Sequence, residues 1–133
     1  MTRIAVAYAA TAIVFCGLDF FWLGFVAKGY YQSQVGALLL EKPNLPVAAL
    51  FYALYIVGVL IFAVLPALDA GSWSKALLYG ALFGFFAYAT YDLTNLATLK
   101  GWSPGIATLD LLWGAVVTGA SATAGYLVTR AVD

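Results

Sequence analysis

Four long apolar stretches constrain this chain more than any other feature. They run over residues 4–27, 47–68, 76–99 and 106–129. Each holds about 22–24 residues, against the ~20 needed to cross the hydrocarbon of a bilayer at 1.5 Å per residue. Apolar residues surround each stretch instead of forming one stripe, as expected of a helix bathed in lipid. Overall, 65% of the 133 residues are hydrophobic and 9% are charged. A soluble domain carries roughly 25% charged residues, so this chain has too few polar groups to cover a water-facing surface. The expected fold is all-α: an integral membrane bundle of four transmembrane helices in one domain over residues 1–133, with membrane lipid as its surroundings.

The joints between the stretches carry helix-breaking chemistry. Pro43-Asn44-Leu45-Pro46 opens the second span, where proline is tolerated in the first turn. Asp69-Ala70-Gly71-Ser72 reads as a turn before the third. Gly101-Trp102-Ser103-Pro104 is a tight connection, with Ser103 as N-cap and Pro104 at the first helical position. Short joints make the second, third and fourth helices antiparallel neighbours. The first connection, residues 28–44, is longer. Its stretch 30–40 is too short and polar to span, and reads as an interfacial helix or a loop at headgroup level, anchored by Tyr30 and Tyr31. Arg3 before an apolar run resembles a signal peptide, but the run is too long for one, and a retained helix is expected.

The sparse charge excludes several functions. Six basic and six acidic residues balance to zero and are scattered singly, so nucleic acid has no electrostatic footprint. One cysteine, Cys16, and no histidine exclude an internal disulfide, a Cys/His zinc site, histidine-held haem and Ser-His-Asp chemistry. No metal site of that kind and no cofactor is expected.

Three acids interrupt the apolar spans: Asp19, Asp92 and Asp110. An ionised aspartate at a helix centre costs ~2.5–3.5 kcal/mol on insertion scales, and no Lys or Arg lies comparably deep in a span. Counting from the span ends at helical rise puts them ~12, ~10 and ~9 Å inside the membrane. Because the fourth helix runs opposite to the first and third, all three depths are measured from the same face, the one bearing the long first connection. A residue three positions on follows each acid: Trp22, Asn95 and Trp113. Positions i and i+3 share a helix face. Tyr88 lies one turn before Asp92, and Tyr91 and Thr94 flank it. The expectation is a polar pocket in which Asp19, Asp92, Asn95 and Asp110 meet Trp22, Trp113, Tyr88, Tyr91 and Thr94. Clustered carboxyls in a low dielectric hold a proton or a cation among them.

Plainer roles exist for the same residues. Aspartate, asparagine and threonine can join helices by hydrogen bonds, and Asp110 suits the positive end of the fourth helix. Trp22 and Trp113 taken singly read as packing or interface residues before ligands. Lys28 and Lys100 read as snorkelling to headgroups, although either could reach down to an aspartate. Gly80 and Gly84, and the pairs Gly114/Thr118 and Ser121/Gly125, have the spacing that lets helices approach closely. They can seal the bundle or a homo-oligomer.

Leu18-Asp19-Phe20-Phe21-Trp22-Leu23-Gly24, Ala87-Tyr88-Ala89-Thr90-Tyr91-Asp92-Leu93-Thr94-Asn95-Leu96-Ala97 and Asp110-Leu111-Leu112-Trp113-Gly114 resemble a family of bacterial inner-membrane proteins, domain-of-unknown-function family 2177. Tyr-Asp-Leu-Thr-Asn is the most specific part, and the similarity covers essentially the whole chain. The resemblance implies a four-helix protein of the bacterial inner membrane and brings no assigned activity. Basic residues divide evenly between the two faces, Arg3, Lys75 and Arg130 against Lys28, Lys42 and Lys100. Cytoplasmic termini are expected only because the N-terminal amine adds to their side. From the residues, the leading functional expectation is binding or transport of a proton, a cation or a small amphiphilic ligand. A lipid-modifying enzyme with paired carboxylates and an accessory subunit of a larger membrane complex are the alternatives.

Overall fold

A computed structural model describes residues 2–40 and 42–133. The Met1 amine, on which the expected sidedness leans, lies outside the described residues. Helix α1 spans Thr2–Val26, α3 Leu45–Ala70, α4 Trp73–Thr98 and α5 Pro104–Val132, all four long and apolar enough to cross a membrane. A short helix, α2 (Lys28–Val35), follows α1 and ends in a single 3-10 turn, Gly36–Leu38. The described residues contain no strand.

Local chemistry sets the ends. Asn44, Ser72 and Ser103 each accept a hydrogen bond from the backbone N–H three residues on, at 3.2, 3.2 and 3.3 Å. These caps let α3, α4 and α5 begin two or three residues earlier than hydrophobicity alone indicates. Gly71 ends α3 at φ 65°, a left-handed conformation that glycine adopts without steric cost.

Helix α5 is central, with α4 on one side and α1 on the other. Small residues permit that closeness. Gly80 lies where a Cβ would sit 2.8 Å from the Cβ of Ala122, and Gly84 lies directly against the Gly114 carbonyl and Thr118. Gly125 faces Thr11 of α1. Gly80, Gly84, Gly114 and Gly125 are therefore all buried within one protomer.

Helix α3 packs on α4 mainly through its second half, where Val59, Ala63 and Val64 are buried. Within it, residues Leu60–Val64 form a wider π turn. Pro66 follows, has no N–H and cannot pair with the Phe62 carbonyl. The wider turn keeps the helix continuous through that defect. The first half of α3 leans on α1 and stands off from α4. Large apolar side chains cover the outside, Phe25 at 81% and Ile13 at 72% exposure among them. In water such a surface would be a severe liability; facing lipid, it is what the sequence demands.

Candidate functional site

The acids of α1, α4 and α5 come together at the end of the bundle covered by α2. Asp19 sits one residue-triplet before the π turn Trp22–Val26 that ends α1. The turn widens the helix where Trp22 swings over the site. Asp19 accepts hydrogen bonds from the Trp113 indole N–H at 3.1 Å and from the Tyr52 hydroxyl on α3. Asp110, in the second turn of α5, accepts from the Tyr31 hydroxyl on α2. Tyr31 in turn accepts from the Trp22 indole N–H at 3.3 Å. The Trp22 and Trp113 rings stack with centroids 4.3 Å apart and 6° between their planes. The two indoles thus lie flat on each other while their N–H groups run to different acids or acid-bound hydroxyls.

Asp92 differs from the other two. It is 0% exposed, and neither carboxyl oxygen has a hydrogen-bond partner. The polar groups facing it are the Asp110 carboxyl and the indole N–H of Trp102, and that N–H is also buried without a partner. Leaving a buried polar group unpaired costs ~1–3 kcal/mol, and more for a charge. Among the described residues, no Lys or Arg pairs with Asp19, Asp92 or Asp110; the ion pair present joins Arg3 to Asp133 at 3.3 Å, at the far end of the bundle.

These groups surround a cavity of about 730 Å³ between α2 and the bundle. Asp19, Trp22, Tyr88, Tyr91, Asp110 and Trp113 line it. Asp92 lies just behind its wall. Lys28, Gln32 and the 38–40 segment form its outer rim, and Trp102 closes one side, edge-on to Tyr91 at 5.7 Å. A second, apolar cleft of about 350 Å³ opens where α3 stands off from α4. Phe51, Ala87, Tyr88 and Tyr91 line it, and it ends on the same Asp110. The site therefore has a polar chamber and an apolar side opening that share one carboxylate.

Asn95 and Thr94 do not line either space. Thr94 is exposed on the outside of α4 and returns its hydroxyl to the backbone of Thr90 and Tyr91. Two residues of helix turn the chain ~200°, so Thr94 faces away from Asp92.

Three residues of the site were not expected there. By sequence position Tyr31 is a headgroup anchor, but its hydroxyl turns inward because the Asp110 carboxylate is a stronger acceptor than water. Burial first, and that hydrogen bond second, push the Tyr31 phenol up from its ordinary value. Tyr52 carries no sequence signal, since an intramembrane tyrosine beside a lipid face looks the same. Trp102 sits in the tight connection before α5, where its sequence position marks it only as part of a turn. Helix α2 is also held by a hydrogen bond from Ser103 to Gln34, 2.7 Å long.

Fold and cavity together define a small helical membrane protein with an acid-lined, aromatic-walled hollow near one end of its bundle. The family described as Predicted membrane protein (DUF2177) matches residues 4–127, and the chain belongs to it. No curated protein and no solved structure matches.

Proposed function

We propose that this protein binds the cationic end of a small amphiphile in the chamber beneath α2, with the apolar part of the ligand in the cleft between α3 and α4. One observation carries this. Asp19 of α1 and Asp110 of α5 line one aromatic-walled cavity, Asp92 of α4 is buried behind its wall, and none of the three has a basic partner among the described residues. The carboxylates supply the counter-charge. The faces of Tyr88, Tyr91 and the stacked tryptophans suit a cation, since each ring presents negative electrostatic potential to it. The second cleft gives the ligand's apolar portion a way in from the bilayer. The setting that goes with this proposal is a bacterial cytoplasmic membrane, with the termini in the cytoplasm and the chamber in the outer leaflet.

The test uses tryptophan emission, because three tryptophans line the chamber. Protein in lipid nanodiscs is titrated with dodecyltrimethylammonium and, separately, with dodecyl sulfate. The cation is expected to change the emission saturably and the anion is not. Asp19→Asn should weaken the cation by about tenfold, the loss of roughly one charge-assisted contact. Non-saturable partitioning, identical in wild type and variant, contradicts the proposal.

A further inference from the structure

The orphaned carboxyl of Asp92 leads to a second property of the same site. We infer that Asp92 and Asp110 form a proton-exchange site: Asp92 holds a proton when the chamber is empty and releases it when a cation enters. This inference rests on the binding proposed above and deepens it.

The geometry assigns the proton to Asp92. One oxygen of Asp110 already accepts from the Tyr31 hydroxyl, so Asp110 has a partner without a proton of its own. Asp92 has no donor within hydrogen-bond geometry, is fully buried, and faces Asp110. A protonated Asp92 can donate to the free side of Asp110 while its carbonyl oxygen turns to the Trp102 N–H. Protonation thereby gives partners to the buried polar atoms of Asp92 and Trp102 that otherwise lack them. A bare carboxylate at that spot would instead stand beside a second one in a medium that screens poorly.

The other groups around the pair do not supply a counter-charge. From α1 comes Asp19, already holding two donors. From α2 come Tyr31, a neutral phenol, and Lys28, whose exposed side chain lies at the outer rim. Tyr52 of α3 is bound to Asp19, and Tyr88 and Tyr91 of α4 contribute only phenols.

Charge conservation explains why the exchange would be favoured. In the empty site Asp92 is neutral. Cation entry adds one positive charge, and departure of the Asp92 proton adds one negative charge. The net buried charge is unchanged, so the ligand does not alter the charge the membrane interior must tolerate. The only covalent event is loss of the Asp92 O–H proton, which passes by way of the neighbouring Asp110 carboxyl, on the chamber wall, to water. No electron moves.

Two measurements test this. Dodecyltrimethylammonium has no exchangeable proton, so any proton released on its binding comes from the protein. In weakly buffered nanodiscs containing a pH-indicator dye, about one proton per bound probe is expected from wild type and about none from Asp92→Asn. Independently of any ligand, the infrared spectrum of the empty protein at neutral pH should show the carbonyl band of a buried protonated carboxylic acid, absent in Asp92→Asn. Binding without proton release overturns the exchange and leaves the binding proposal intact. Absence of saturable binding overturns both. A wild-type spectrum without the protonated-acid band overturns the assignment of the proton even if release is seen.

Discussion

At the scale of single residues, the site is a set of acids whose donors come from other helices. Asp19 is held by tyrosine and tryptophan from α3 and α5, and Asp110 by tyrosine from α2. The acids were legible in the sequence because each breaks an apolar run and each costs energy there. Tyr88 was legible too, one turn from Asp92 on the same face. The donors Tyr31 and Tyr52 were not, because tyrosine is ordinary at a membrane interface and nothing local reveals which way it turns. Tyr31 yields a prediction at this scale. Its phenol is raised above the unfolded value near 10. The neutral form is therefore favoured by folding, and the stabilisation is fully present below pH ~10 and lost as pH rises through the folded value. Thermal unfolding in detergent should show wild type losing more stability above pH ~10 than Tyr31→Phe does. Equal alkaline losses would mean that the hydroxyl does not hold α2 to α5.

At the scale of elements, close packing of α4 on α5 positions Asp92 against Asp110. Gly84 and Gly114 meet backbone to backbone one to two turns below the acids. The spacing of these glycines was visible in the sequence, but whether they served the protomer or an oligomer was not, since both uses need the same small residues. Gly84→Ala would place its methyl group against the Gly114 carbonyl, an atom that cannot rotate away. Overpacking of this kind costs about 1–3 kcal/mol, more than the ~1 kcal/mol that alanine gains in helix propensity. Unfolding of the variant should be correspondingly easier, and its Asp92–Asp110 pair should separate. A variant as stable as wild type would contradict the tight α4–α5 crossing. The two π turns had no sequence signal of their own, although Pro66 marks the neighbourhood of one.

At the scale of the whole molecule, the number of helices and their alternation follow from the lengths of the apolar runs and their short joints. The cavity does not follow from them. It exists because α3 stands off from α4 in its first half and α2 folds back over the gap, two tertiary features that no hydropathy pattern encodes. The apolar cleft and the polar chamber then meet at one carboxylate, which is why the proposed ligand has a charged end and an apolar end.

All of this depends on the carboxyls of α4 and α5 being neighbours in the bilayer. Solid-state NMR on protein in lipid, with aspartate carboxyl carbons labelled, measures that directly. A through-space correlation between the Asp92 and Asp110 carboxyls, lost in Asp92→Asn, is the predicted result. Aspartate carboxyls that correlate only with lipid acyl chains, and not with each other, would contradict the account.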